Sequence, residues 1–129
     1  MTIYPTPYAQ LKEAIKAGLI PVCIDRIPLA TYYGKHYKPL APYTYMTTPI
    51  HTPGLFLLDY KEILGALSVT ETISDLQKMS GGRDIALFAT NVQPGKDPVG
   101  MACDWLGAGG AKIGSCDKEE IKDNQTSMF

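Results

Sequence analysis

Two short apolar runs, LIPVCI at residues 19–24 and DIALFA at residues 84–89, constrain the fold of this chain more than any other feature. Neither run alternates apolar with polar residues, so each is typical of a strand buried on both faces. Both follow segments with helical periodicity. Helices that alternate with such strands indicate a small, mainly parallel sheet flanked by helices. We therefore expect an α/β fold of the Rossmann-like, three-layer kind.

Helix start and stop signals lie before, between and after the runs. In TPYAQLKEAIKAG, Thr6 suits the N-cap, Pro7 the first helical position and Gly18 the left-handed exit. The 3.6-residue period predicts that the inward face of this helix holds Tyr8, Leu11 and Ile15. The same period in LFLLDYKEILGAL predicts a helix whose inward residues are Phe56, Tyr60, Ile63, Leu64 and Leu67.

Capping signals predict two further helices. One, in SVTETISDLQKMSGG, begins with a capping box of Ser68 and Glu71 and ends at Gly81. Asp97 suits the N-cap of a short helix in DPVGMACDWLG, with Met101, Trp105 and Leu106 facing the core. The stretch AKIG is expected to be a last strand.

Length and composition favour one cytoplasmic domain. We expect a single α/β domain at residues 1–115 and a polar tail at residues 116–129, because 129 residues are too few for two ordinary domains. The net charge of −1 gives no general preference for nucleic acid or anionic membrane. The three cysteines lie far apart, which favours a reducing compartment. The uncharged stretch at residues 39–58 contains four prolines, which argue against a bilayer helix.

A long tyrosine-rich loop leaves the first apolar run. Residues 28–53 show no regular period, and a loop of this length is commonly functional or disordered. Its aromatic area argues against disorder and predicts a lid or pocket wall built from Tyr32, Tyr33, Tyr37, Tyr43 and Tyr45. Ligands of open parallel sheets bind beyond the carboxyl ends of the strands. Those ends are residues 25–26 and 90–91, so the tyrosine-rich loop and the Asp97 loop are expected to enclose one cleft.

Four segments in order, CIDRIPLATYYGKHYKPLAP, DYKEILGAL, GGRDIALFA and PGKDPVGMACDWL, carry a family resemblance. Over residues 19–115 the chain resembles the domain of unknown function 488 family, small α/β proteins of bacteria, archaea and their viruses. The most specific part of the likeness lies in Arg26, Pro28, Tyr33, Tyr37, Leu40, Ala41 and Pro42. The resemblance implies a Rossmann-like fold, while the activity of the family is poorly defined.

The chain departs from this family where reactive groups would stand. Typical members follow the second core strand with a cysteine, an aromatic residue and a glutamate, and open the next helix with Cys-His-Arg. Here the strand continues into Ala89, Thr90 and Asn91, and the Cys-His-Arg positions fall at residues 97–99, Asp-Pro-Val, within one residue of loop length. The resemblance therefore implies a pocket without the nucleophile and proton-transfer groups of the family.

The candidate binding residues each have a structural alternative. Arg26 suits a phosphate or carboxylate clamp, and otherwise an ion pair with Asp25. Tyr33 and Tyr37 can stack on a planar base, or can simply anchor their own loop. Lys35 adds positive charge at the same mouth or only solubility. We predict that the ligand-binding residues are Arg26, Tyr33, Lys35, Tyr37, Asn91 and Asp97, with no metal or cofactor and no catalytic residue.

Three hypotheses remain open from the sequence. We expect first a non-catalytic protein that holds a nucleotide-like small molecule; in a virus it would sequester a host nucleotide signal in the host cytoplasm. The second is an enzyme acting on a nucleobase or N-glycosidic bond through Asp97 or Asp25, which requires a carboxylate inside the cleft rather than a solvent-facing cap. The third, a nucleic-acid-binding module, is disfavoured by the near-neutral charge. A homodimer through LFLLDYKEILGAL is an alternative to a monomer.

Overall fold

The five strands in the described part of the chain run parallel in one sheet. The computed structural model describes residues 1–26, 34–48, 50–90, 92 and 95–114. The strands are β1 (Thr2–Pro5), β2 (Ile20–Cys23), β3 (Lys35–His36), β4 (Ile85–Phe88) and β5 (Lys112–Ile113), in the spatial order β3-β2-β4-β1-β5. Helices cover both faces, so the α/β, Rossmann-like, three-layer fold predicted from the two apolar runs is confirmed.

The helices are distributed unequally between the two faces. One face packs against α1 (Leu11–Lys16), and the other against α2 (Pro53–Gly65), α3 (Val69–Ser80) and α4 (Pro98–Ala108). Short 3₁₀ turns at Tyr8–Gln10, Lys38–Leu40 and Thr44–Thr47 occupy the connections. The larger core lies under α2, α3 and α4, where Ile85 and Leu87 point, while Ala86 and Phe88 point toward α1. Residues 115–129, which contain the predicted tail, are not among the described residues.

Two strands were not evident from the sequence: β3, which lies within the loop expected at residues 28–53, and β1. Its residues, TIYP, include a threonine and a proline, and so do not form an apolar run. It nevertheless lies between β4 and β5. Proline is tolerated because Thr6 N donates to Leu87 O on the β4 side, which turns the Pro5 nitrogen toward β5. Strand β5 pairs only with Thr2 and Ile3, so no ladder bond is lost there.

The first predicted helix is shorter than its signals indicated. A 3₁₀ turn occupies Tyr8–Gln10 and α1 begins only at Leu11. The Thr6 hydroxyl donates to Tyr4 O at 2.9 Å instead of capping a helix. The buried residues of α1 are Leu11 and Ala14. The predicted inward face is therefore right for Leu11 but wrong for Tyr8 and Ile15, which are both half-exposed. Gly18 does have the predicted left-handed conformation, with φ +93°.

The later helices follow the sequence prediction closely. On α2, Phe56, Tyr60 and Leu64 are buried. The Ser68 hydroxyl oxygen accepts a hydrogen bond from Glu71 N at the start of α3, which ends at Gly81 with φ +65°. These ends match because side-chain caps and glycine exits depend only on residues adjacent in sequence.

Tyr60 provides a stability prediction. It is completely buried in α2, and its hydroxyl donates to Leu40 O at 2.6 Å, which ties the helix to the segment after β3. Tyr60→Phe leaves this carbonyl oxygen without its donor, so we expect the free energy of unfolding to fall by about 1–3 kcal/mol in urea denaturation. Tyr45→Phe, at an exposed tyrosine, is the matched control and should leave the midpoint unchanged. Equal effects of the two variants would contradict this role.

Candidate functional site

A cavity lies beyond the carboxyl ends of β1 and β4, and we call it the edge cleft. It has a volume of about 650 Å³, within the range of small-molecule sites. The parallel sheet brings Thr6 and Thr90 to this edge, and α4 begins beside them. The lining consists of Pro5, Thr6, Pro7, Tyr8, Ala89, Thr90, Val92, Gly95, Lys96, Asp97, Val99 and Gly100.

Tyr8 is the aromatic side chain of the edge cleft. Its ring stacks on the buried Phe88 ring at a centroid distance of 6.0 Å and an interplanar angle of 13°. The side chain remains 47% exposed, so aromatic surface is available to the cavity. Sequence reasoning assigned Tyr8 to a helix core because it missed β1. The signal that could have found it is the pair Pro5 and Pro7, which separates a short strand from the following helix.

Lys96 is a buried cation in the wall of the edge cleft. It is 4% exposed, and its Nζ donates to Thr48 O at 2.7 Å. The same carbonyl oxygen accepts the His51 backbone N–H at 3.1 Å. Gly95, with φ +75°, lies so close to Pro53 that an added Cβ would be 3.0 Å from the proline Cβ. These contacts connect this wall to Thr48 and to the first residue of α2, and no sequence motif marked Lys96.

Asp97 caps α4 as predicted and also lines the edge cleft. Its Oδ1 accepts the Gly100 backbone N–H at 3.0 Å. Gly100 permits this cap because a Cβ there would overlap the Asp97 carboxylate. The Asp97 side chain is exposed. Its carboxylate is therefore a solvent-facing hydrogen-bond acceptor at the rim of the cavity.

Arg26 lines a smaller recess, which we call the Arg26 pocket. It has a volume of about 120 Å³ and shares Ala89 and Thr90 with the edge cleft. Arg26 Nε donates to Pro42 O at 3.2 Å, Nη2 donates to Ala41 O at 2.9 Å, and the guanidinium carbon lies 4.6 Å from the Tyr43 ring centroid. Arg26 thus anchors the tyrosine-rich loop, and among the described acids it has no ion-pair partner.

Asp25 joins the ends of two strands instead of pairing with Arg26. Its carboxylate accepts the Thr90 backbone N–H, at 3.0 Å to Oδ2 and 3.2 Å to Oδ1, and also the Thr90 hydroxyl. Asp25 lines the Arg26 pocket, whereas Thr90 lines both cavities. This contact holds the carboxyl ends of β2 and β4 together.

Of the other predicted site residues that the structure describes, neither Tyr37 nor Lys35 lines either cavity. Tyr37 is buried in the core and its hydroxyl donates to Asp75 Oδ2 at 2.9 Å. The pKa of Tyr37 is raised to about 12, mainly by burial and to a smaller extent by this hydrogen bond. Lys35 is exposed on β3. Tyr33 and Asn91 lie outside the described residues. The structure therefore places Arg26 and Asp97 in two neighbouring cavities that share Ala89 and Thr90, but places neither Tyr37 nor Lys35 there.

Two exposed tyrosines of the loop contact other side chains of the same region. Tyr43 lies against Arg26 on one side and stacks with Tyr45 at 6.0 Å. Tyr45 meets the edge of the His51 ring at 5.4 Å, and His51 Nε2 lies 3.0 Å from Asp59 Oδ2. This arrangement matches the alternative in which the aromatics anchor their own loop. Within the described ranges, no three His, Cys, Asp or Glu side chains are grouped to hold a metal ion.

Cys23 and Cys103 give a prediction about chemical reactivity. Both are buried, and burial raises the pKa of each thiol from 9.0 to about 12. At pH 8 both therefore remain neutral thiols, and we expect iodoacetamide to label them far more slowly in the native protein than in denaturant, as measured by peptide mass spectrometry. Their contribution to stability is present below pH 9 and is lost as pH rises toward 12. Rapid native labelling of either cysteine at pH 8 would contradict this assignment.

Each helix in the described residues falls short of the length and the apolar character that a bilayer span requires.

Comparisons with known proteins add no relative. No protein-family model matches the chain, and neither the curated proteins nor the solved structures contain a match.

Proposed function

We propose that this protein binds a nucleotide-derived small molecule in the edge cleft and does not transform it. The observation that carries the proposal is the 650 Å³ cavity at the carboxyl edge of the sheet, with an exposed tyrosine ring on one wall and a carboxylate on its rim. In parallel α/β sheets this edge is where ligands bind, because loops and helix N-termini converge there.

The walls of the edge cleft suit a planar base and the hydroxyl groups of an attached sugar. A base can lie on the available surface of Tyr8, whose orientation is supported by Phe88. Base–aromatic stacking contributes about 1–3 kcal/mol per base. The Asp97 carboxylate can accept hydrogen bonds from ribose hydroxyls or a ring N–H. These are the interactions of a nucleoside.

The Arg26 pocket suits a single anionic group. The hydrogen bonds to Ala41 and Pro42 use only part of the guanidinium's donors, and the other N–H groups can contact a phosphate. Asp25 lies in the same recess and Asp97 at the adjoining rim, and both carboxylates repel anions. We therefore favour a nucleoside or nucleoside monophosphate over a triphosphate.

Binding without catalysis agrees with the chemistry of the two carboxylates. Asp97 is a solvent-facing cap, the environment that argues against a catalytic base. Asp25 accepts hydrogen bonds from the Thr90 backbone and hydroxyl.

We further propose that the chain is a divergent relative of the domain of unknown function 488 family in which Asp-Pro-Val at residues 97–99 replaces the reactive triplet. In a viral setting, such a pocket would sequester a host nucleotide signal.

The enzyme hypothesis keeps one specific observation in its favour. The Thr90 hydroxyl donates directly to Asp25 Oδ2 in the wall between the cavities, so a hydroxyl and a carboxylate act as one pair. Such a pair can deliver a nucleophile or a general base. Turnover of a bound nucleoside that disappears with Asp25→Asn would make this an enzyme.

The binding proposal predicts which side chains control affinity. We expect calorimetric titration with the four ribonucleoside monophosphates to show binding of at least one, with the matching nucleoside retaining most of the affinity. Tyr8→Ala should weaken binding at least tenfold because it removes the stacking surface. Asp97→Asn preserves the cap and should weaken binding several-fold by removing the charged acceptor.

Matched variants outside the cavities are the controls for this titration. Tyr45→Ala removes another exposed aromatic ring, and Glu62→Gln another exposed acid, and neither should alter affinity. Recovery of an intact nucleotide derivative by native mass spectrometry of protein from its own cells would support the proposal directly. Absence of binding to all four monophosphates and their nucleosides, or equal losses in Tyr45→Ala and Tyr8→Ala, would overturn it.

A further inference from the structure

Helix α2 exposes apolar side chains away from the core. Its buried face is formed by Phe56, Tyr60 and Leu64, yet three other leucines point outward. Leu55, Leu57 and Leu58 are 50%, 44% and 61% exposed. A solvated helix usually carries polar residues opposite its buried face. A helix with leucines on both sides is more typical of one packed against a second surface, and the covering surface is absent from the described chain.

A groove beside these leucines continues the apolar surface onto α4. It has a volume of about 390 Å³ and is lined by Leu57, Lys61, Leu64, Gly65, Met101, Asp104 and Trp105. Added bulk at Gly65 would meet no atom within 4 Å, so the backbone of α2 is open to close approach there. Trp105 and Met101 supply the large, adaptable side chains that are enriched at protein interfaces.

The charges of the groove specify what covers it. Lys61 on the α2 side and Asp104 on the α4 side are both exposed, and neither forms an ion pair with a described residue. The groove therefore offers one positive and one negative group flanking apolar side chains. An isologous interface needs such self-complementarity, because a twofold axis sets the same surface of both copies against each other, so that each contact occurs twice. Lys61 of one copy can then face Asp104 of the other, and the reverse pair forms by symmetry.

We propose that this groove and the outer leucines of α2 form a homodimer interface between two copies of the chain. The leucines and Trp105 exclude water, while the two symmetric Lys61–Asp104 pairs set the register. The near-neutral net charge of −1 opposes self-association only weakly. The proposal is independent of ligand binding in the edge cleft, whose lining shares no residue with the groove.

Sedimentation velocity with charge-reversed variants tests the interface. The wild-type chain should sediment as a dimer of twice 14.1 kDa. Lys61→Asp and Asp104→Lys should each raise the dimer dissociation constant at least tenfold, because each creates like-charged contacts. A mixture of the two single variants should regain dimerisation, since the heterodimer restores both opposite-charge pairs. Pairing within one chain could not produce this recovery.

Leu58→Lys and its control separate the apolar part of the interface from folding. Leu58 is largely exposed, so the variant should keep the native circular dichroism spectrum and become monomeric. Ile15→Lys changes a comparably exposed residue on α1, on the opposite face of the sheet, and should leave the dimer intact. A monomer at the highest soluble concentration, or a dimer insensitive to both Leu58→Lys and the charge reversals, would overturn the proposal.

Discussion

A strand as apolar as β4 is stable only when both of its faces are covered. All four residues of this strand are buried, and β4 pairs with β2 on one side and with β1 on the other. A strand without a polar face must be covered by helices on both faces, so α1 and the α2–α4 layer follow from its composition. Since every pairing is parallel, the carboxyl ends of the strands meet at one edge, and this edge holds the edge cleft.

Hydrogen bonds between residues distant in sequence make that edge a defined surface. The Asp25–Thr90 contact joins the ends of β2 and β4, and Lys96 connects the cleft wall to Thr48. Arg26 holds the backbone at residues 41–42. Polar side chains at this edge therefore have structural tasks as well as access to the cavities. Arg26 can therefore hold the loop through two of its N–H groups and still offer the others to a ligand.

The proposed ligand site and the proposed dimer surface use different physical properties of the same fold. The edge cleft depends on the direction of the strands, which brings Tyr8, Thr90 and Asp97 together from distant parts of the chain. The groove depends on the excess of leucines on α2 and on opposite charges across α2 and α4. Because neither surface includes residues of the other, binding and association can be tested separately.

The class of the fold and most helix ends could be predicted from the sequence. Two apolar runs predicted β2 and β4, and local capping residues such as Ser68 and Asp97 predicted where α3 and α4 begin. These features depend on neighbours in sequence, which pattern reasoning can read. Tertiary structure established β1 and β3, because neither forms an apolar run and each was identified through its pairing, β1 with β4 and β3 with β2. It likewise decided that Tyr8 lines the cleft while Tyr37 enters the core, because these assignments depend on which distant elements pack against each ring.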